Sequence, residues 1–259
     1  MRTYVVTGSA SGIGAATSTL LGLAGHRVIG VDRHNAEIQA DLSHADGRTA
    51  MIEAVRTAST GRIDGVIACA GVSGGQHSAD PVIRVNYFGV IATIEGLRPL
   101  LAAGKDPRAA VVASIALLNA TDDGPTALCL AGDEEGAVAA CDGDGRIAYA
   151  AAKRGISRWV RLHATTAEWA GAGIALNAVA PGMIRTPMSE YYLGTDEQRA
   201  AALSRGPQPF GGIGTPEHIA EALVWLTSPQ NGYVTGQILF VDGGYEAVAR
   251  PGAVVRRGD

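Results

Sequence analysis

Cysteine is scarce in this chain: 259 residues hold three, Cys69, Cys129 and Cys141. Three thiols cannot all pair, and their spacing fits no metal site. That argues against a disulfide scaffold and for a reduced compartment, so a cytoplasmic location is expected. The six histidines lie far apart in sequence, and no metal is expected. No apolar run is long enough to span a membrane. The sequence enters a strand-like run at once, "MRTYVVTG", and no signal peptide is expected. Basic runs are missing too, apart from a terminal "RRG". With a formal charge of −4, this argues against a nucleic-acid partner.

What is present is a high apolar content, 47% of residues, enough for a sizeable core. Short apolar runs alternate with longer stretches of helical period. "TYVVTG", "RVIGVD", "DGVIACAG", "AAVVAS", "IALNAVAPG" and "QILFVDGG" read as strands. Residues 13–24, 81–102, 148–169 and 216–227 read as helices. Such alternation implies an α/β fold, a doubly wound parallel sheet of the Rossmann-like kind. No linker divides the chain, so 1–259 is expected to be a single domain, with a flexible tail over 250–259. "GVDRHNAEIQADLS" holds two strand-like pieces barely four residues apart, too close for an ordinary parallel crossover. A short edge strand ending near Asp41 is the expectation.

"TYVVTGSASGIGAA" places Gly8, Gly12 and Gly14 between a strand and a helix. Glycine allows a tight turn and close approach of a pyrophosphate, and the helix N-terminus beyond offers free N–H groups. Asp32 ends the next strand, where an acid can bind the adenosine ribose hydroxyls and repel a 2′-phosphate. NAD is therefore favoured over NADP, although Arg33 stands beside Asp32. Further on, "YAAAK" puts Tyr149 and Lys153 four apart on one helical face. An ammonium nearby would favour the phenolate and make Tyr149 a usable base for an alcohol. Such a pair also occurs by chance. Ser114 closes the strand "VVAS" at the edge that faces a ligand crevice.

The spacing Thr7-Gly8-x-x-x-Gly12-Ile13-Gly14 resembles that of the short-chain dehydrogenase/reductase family, and the likeness runs over nearly the whole chain. The resemblance implies an NAD-dependent oxidoreductase in which Tyr149 is the base, Lys153 lowers its pKa and holds the ribose, and Ser114 orients the substrate. Asn86 in "RVNYFG" corresponds to an asparagine that supports a water relay to the lysine. Asp41 and Leu42 in "ADLS" look like the adenine contact. Cys69, Ala70 and Gly71 look like the family's Asn-Asn-Ala-Gly turn, with Ala68 and Cys69 replacing both asparagines. Ser11, where NADP-preferring members often carry a basic residue, agrees with NAD. Pro181, Gly182, Ile184 and Thr186 in "APGMIRTP" resemble the segment that fixes the nicotinamide. Within the family, the features resemble bacterial 3α-hydroxysteroid dehydrogenase/carbonyl reductases. A hydroxysteroid or similar bulky alcohol is the implied substrate, with Met188, Tyr191, Tyr192 and Leu193 as an apolar lid. Alternatives are a non-catalytic NAD(H)-sensing protein and an NAD-dependent epimerase or dehydratase on a related fold.

The family's serine usually precedes the tyrosine by about a dozen residues, whereas Ser114 and Tyr149 are 35 apart. The excess is the segment 119–145, with seven acidic residues and no basic one. "DDGPT" and "GDEEGAVAA" both read as helix starts. Leu128, Leu130 and Val138 are expected to face the domain and the carboxylates to face water. The segment is expected to block one assembly surface, leaving a homodimer through the last helix and strand.

Overall fold

The computed structural model describes residues 1–119 and 122–252. Ala120 and Thr121 of the acidic segment and residues 253–259 of the expected flexible tail lie outside that range.

The apolar runs form strands and the helical-period stretches wind between them. In chain order the main elements begin with β1 (Thr3–Thr7), α1 (Gly12–Leu23), β2 (Arg27–Asp32), β3 (Ile38–Gln39), α2 (Ala45–Ala58) and β4 (Gly65–Ala68). A long helix follows in three parts: α3 (Ala79–Ile83), a π-helical segment Arg84–Gly89, and α4 (Val90–Ala102). Next come β5 (Arg108–Val112), α5 (Gly124–Ala131), α6 (Glu134–Ala139), α7 (Gly145–His163) and β6 (Ala175–Pro181). The chain closes with α8 (Glu190–Leu193), α9 (Asp196–Arg205), α10 (Pro216–Thr227), β7 (Ile238–Val241) and α11 (Tyr245–Ala249). Among the described residues the strands make one sheet in the order β3-β2-β1-β4-β5-β6-β7, and every pairing is parallel. This is the doubly wound, Rossmann-like arrangement expected.

Central strands buried on both faces need apolar residues at successive positions. β4 meets that with four fully buried residues. One core, holding Ile94, Leu97, Ile156 and Val160, lies under α2, α4 and α7. The other, holding Leu21, Ile219 and Leu223, lies under α1 and α10.

β3 is a two-residue edge strand, ending at Gln39 rather than near Asp41. It pairs only Ile38 with Val31 and Gln39 with Asp32. The chain thus steps back by a single residue pair before pairing again, which is why a five-residue loop (33–37) suffices. α7 starts at Gly145, earlier than the expected 148, because Asp144 Oδ1 accepts from the N–H groups of Arg146 (2.7 Å) and Ile147 (3.3 Å). It ends at His163, before the expected 169. Trp169 then turns into the core, edge-on to Trp159 with ring centres 5.9 Å apart.

Both helix starts read in the acidic segment are real. Pro125 opens α5, and Asp133 Oδ1 accepts from Gly136 N–H (2.9 Å) at the head of α6. The expected burial holds and extends further. Leu128, Leu130 and Val138 are partly buried against the core, whereas Cys129, Ala137 and Cys141 go fully inside. Nor do the carboxylates simply face water. Glu134 pairs with Arg48 (2.6 Å) and Arg84 (3.2 Å), Glu135 with Arg84 (2.8 Å), and Asp123 with Arg154 and Arg158 (2.9 Å each). Arginines on α2, at the head of the π segment and on α7 thus neutralise much of the charge. α5 lies along α7, and α6 lies against α3 and the π segment, so the acidic segment covers the surface shared by those helices.

Candidate active site

At the carboxyl edge of the sheet two adjoining cavities, of about 410 and 290 Å³, share Ile13, Cys69, Gly71, Thr186 and Met188 in their walls. The smaller one is built on the glycine turn. Gly8 and Gly12 adopt positive φ, +70° and +52°. A Cβ on Gly8 would stand 2.9 Å from Ala70 N, and one on Gly14 would stand 2.1 Å from Gly8 O. The turn is held from behind by Thr7, whose Oγ1 accepts from Ala70 N–H at 3.1 Å.

Gly8, Ser11, Gly12, Ile13 and Gly14 form one wall of this cavity; Cys69, Ala70 and Gly71 form another. Asp32, Asp41 and Leu42 close its far end. Asp32 also serves the turn, since Oδ2 accepts from Ala10 N–H (3.0 Å) and Oδ1 from Arg33 N–H (2.6 Å). Asp41 Oδ1 accepts from Ser43 N–H (2.9 Å) and Oγ–H (2.6 Å), which holds its carboxyl below the usual range. Burial pushes the Cys69 thiol up to about 12.

The larger cavity brings together Ser114, Tyr149 and Lys153, the residues expected to react. Ser114 stands just past β5, and its Oγ accepts from Ala116 N–H at 3.2 Å, which fixes its rotamer. Tyr149 and Lys153 reach the cavity from α7. Pro181, Gly182, Ile184 and Thr186 supply the opposite wall. Lys153 is almost fully buried; its Nζ donates to Val112 O at 2.8 Å and lies 5.6 Å from the centre of the Tyr149 ring. Burial depresses its pKa to about 8.

Two of the expected residues make specific contacts of their own. Burial raises the Tyr149 pKa, and a hydrogen bond with Ser114 is what acts against that rise. Lys153 is not what lowers it here, because its Nζ is turned to the Val112 carbonyl. Asn86, fully buried in the π segment, lines neither cavity. Its Oδ1 accepts from Val72 N–H (2.8 Å) and its Nδ2 donates to Val72 O (2.9 Å). The amide fixes the loop after β4, and a Cβ on Gly71 of that loop would stand 3.0 Å from Asn86 Oδ1 and 3.9 Å from Lys153 Nζ, so the two side chains flank the same glycine.

The apolar segment after Thr186 does close over the cavity with Met188, Tyr191 and Tyr192. Leu193 instead turns inward and is buried. Tyr191 OH accepts from Ser73 Oγ–H at 3.3 Å, joining this cover to the loop after β4.

Several wall residues escape the sequence reading. Ser73, Gly74 and Gly75 come from that loop, Arg146 from the first turn of α7, and Tyr245 from beyond β7. The "GG" of "VSGGQ" was the readable signal: a Cβ on Gly74 would stand 2.7 Å from Tyr149 Cβ. Arg146 was readable as the residue one turn ahead of Tyr149. Gln208 is a further supporting residue, its amide holding Met183 N–H (2.5 Å) and Gly212 O (2.6 Å).

A serine, a tyrosine and a lysine meeting beside a glycine turn define an oxidoreductase site on a nucleotide-binding fold. Residues 2–125 match the short chain dehydrogenase family model and residues 135–246 that of enoyl-(acyl carrier protein) reductase. The unmatched stretch between them falls inside the acidic segment. The chain belongs to the short-chain dehydrogenase/reductase family and is an oxidoreductase of it. It is 36% identical to the 3-alpha-hydroxysteroid dehydrogenase/carbonyl reductase of Comamonas testosteroni, over 97% of this chain and 99% of that one. It is 33% identical to a cis-4-hydroxycyclohexanecarboxylate dehydrogenase of Sinomonas cyclohexanicum, over 95% and 97%. A crystal structure of the 3-alpha-hydroxysteroid dehydrogenase from Pseudomonas sp. B-0831 complexed with NADH superposes with a TM-score of 0.91 at 39% identity, covering 97% of this chain and all of that one. No helix among the described residues is long and apolar enough to cross a membrane, and no group of three or more His, Cys, Asp or Glu residues there could hold a metal.

Proposed function

We propose that the protein is a cytoplasmic, single-domain, NAD-dependent dehydrogenase/carbonyl reductase that interconverts a bulky alicyclic secondary alcohol and its ketone, a hydroxysteroid being the favoured class. The observation that carries this reading is the convergence of Ser114, Tyr149 and buried Lys153 on the wall of one largely apolar cavity. The smaller cavity fits a dinucleotide. Its glycine cradle admits no Cβ at Gly8 or Gly14, a helix N-terminus adjoins it, and a carboxylate stands at the end of β2. Asp32 would hold the ribose hydroxyls, Asp41 and Leu42 the adenine, and Thr186 the carboxamide end.

When bound, the nicotinamide supplies the hydride acceptor or donor and, oxidised, a positive charge. Tyr149 takes the hydroxyl proton in oxidation and returns it in reduction. Ser114 holds the substrate oxygen beside the phenol. Lys153, its Nζ 5.6 Å from the centre of the phenol ring, would hold the ribose. Asn86 keeps the β4 loop in place by its side chain, so a part in proton transfer would run through its main chain.

The substrate class draws support from the apolar cover of Met188, Tyr191 and Tyr192. The two named relatives also act, by name, on alcohols borne by six-membered carbon rings or steroids. A screen with NAD across steroid, terpenoid and sugar alcohols tests the reading. Turnover of ring-borne alcohols is expected; turnover of small polar polyols alone would overturn it.

A further inference from the structure

Arg146 is an exposed residue on the wall of the larger cavity, and its guanidinium makes no ion pair or hydrogen bond with any described residue. The place is an unfavourable one for a cation. It sits in the first turn of α7, at the positive end of a 19-residue helix with no acidic side chain in that turn. Asp144, two residues earlier in the chain, accepts from the N–H groups of Arg146 and Ile147 with its Oδ1 and makes no bond with the guanidinium. Elsewhere in the same region arginines find carboxylates, as Arg84, Arg154 and Arg158 do.

The cavity shows the same asymmetry. Among the described residues its walls carry two cations, Lys153 and Arg146, and no Asp or Glu. Arg146, Tyr149 and Lys153 follow one another at i, i+3 and i+7, so they share one face of α7. Arg146 stands about 4.5 Å along the helix axis from Tyr149, on the side away from Lys153. Lys153 is at the reacting end; Arg146 meets the part of a substrate that lies away from it.

We infer that Arg146 is the anion-recognising residue of the substrate site, and that the preferred substrate is an apolar secondary alcohol or ketone carrying a carboxylate remote from the reacting carbon. A guanidinium presents a planar fork that suits a carboxylate. The neighbouring acids Asp142 and Asp144 and the net charge of the chain weigh against a doubly charged group. Asn119, also in the cavity wall, adds a neutral polar residue to it. This rests on alcohol oxidation at Tyr149.

The test compares a hydroxysteroid bearing a side-chain carboxylate with its methyl ester, and a hydroxycyclohexane carboxylate with its own methyl ester. For each pair, kcat/KM with NAD is measured, and so is affinity for the enzyme–NADH complex by nucleotide fluorescence. The acid is expected to exceed the ester by about fivefold, the scale of a partly exposed charged contact, mostly through KM. The ratio should shrink with added salt. Arg146→Gln should bring it to about one, Arg146→Glu should invert it, and Arg146→Lys should keep part of it. Because each ratio is internal to one variant, general damage to the site cancels. If the acid binds more tightly than the ester and Arg146→Gln removes that advantage, but neither is oxidised, the anion site stands and the proposed reaction falls. No acid preference in either pair, or a preference unchanged in Arg146→Gln, would overturn the inference.

Discussion

Lys153 Nζ donates a 2.8 Å hydrogen bond to the carbonyl oxygen of Val112, tying the face of α7 that carries Tyr149 to the last residue of β5. Two residues further along the chain stands Ser114. One ammonium thus helps to hold the strand end that leads to Ser114 in register with the helix that carries Tyr149. The arrangement has an energetic cost, because the cation sits out of water.

That cost gives the first prediction. The Lys153 pKa falls from 10.5 to about 8 on folding. Below pH 8 both folded and unfolded chains carry the proton, and the full cost of burying it is present. Between 8 and 10.5 the unfolded chain still holds a proton that the folded one has lost, so stability rises with pH. Lys153→Met removes this dependence. Its stability relative to wild type should therefore decline between pH 7 and 9.5, by on the order of 2 kcal/mol. Urea midpoints of both proteins at the two pH values give the difference. A gap independent of pH would show that the amine is not depressed. Comparing the two proteins removes the thiols and phenols that titrate in both, Cys69 included.

The second prediction concerns the proton. Tyr149→Phe should lower turnover by about a hundredfold or more, the usual scale for a lost acid/base. NADH affinity, read by fluorescence titration, should stay within about twofold. A variant that keeps most of its turnover would place the base elsewhere.

Much of this was legible before the structure. Three glycines between a strand and a helix, an acid ending the next strand, and Tyr149 four residues before Lys153 all depend on local geometry, and all three were readable. α2 and α9 were not seen. In α2 the apolar residues are mostly alanines set among charged ones, and the start of α9 was marked only by the Thr195–Gln198 capping pair and the acids Asp196 and Glu197. The direction of side chains at the site was also out of reach. That Asn86 serves Val72 and that Lys153 faces Val112 are facts of tertiary packing. They arise where the π segment and the end of β5 happen to approach, residues far from either in sequence. The lysine itself stood out more than its motif suggests, since Lys105 and Lys153 are the only two in the chain.

Asp32 gives the third prediction. Its carboxylate lines the smaller cavity and also accepts from Ala10 N–H, so charge and turn support are combined in one side chain. Catalytic efficiency with NAD should exceed that with NADP by at least about tenfold, roughly 1.4 kcal/mol. Asp32→Asn keeps an acceptor for Ala10 and removes the charge, so it should narrow the preference chiefly by improving NADP. Asp32→Ala loses both roles and should weaken both nucleotides. Equal efficiency with the two cofactors in wild type would refute the assignment.

The last prediction concerns assembly. The helical surface formed by α3, the π segment and α7 is one place where two subunits could meet, but α5 and α6 already lie on it. They are anchored there by buried Cys129, Ala137 and Cys141 and by the Glu134–Arg48 pair, whose arginine is 7% exposed. At the far end of the sheet the situation is reversed. β7 is an edge strand with unpaired backbone groups on its outer side. Along it Leu239 is 38% exposed, and on α10 Trp225 is 44% exposed. Leu239 shares its strand face with Val241, which packs on the core under α10, so both exposed side chains belong to one surface. Pairing two subunits there protects the edge and covers the apolar side chains together. Light scattering should therefore give the mass of two 26.5 kDa chains. The double variant Trp225→Glu, Leu239→Glu should give one chain while retaining the folded far-ultraviolet spectrum, because neither side chain lies in the core. A tetramer that uses α7 as a contact, or a dimer that survives both substitutions, would show that the acidic segment does not direct assembly to the β7 edge.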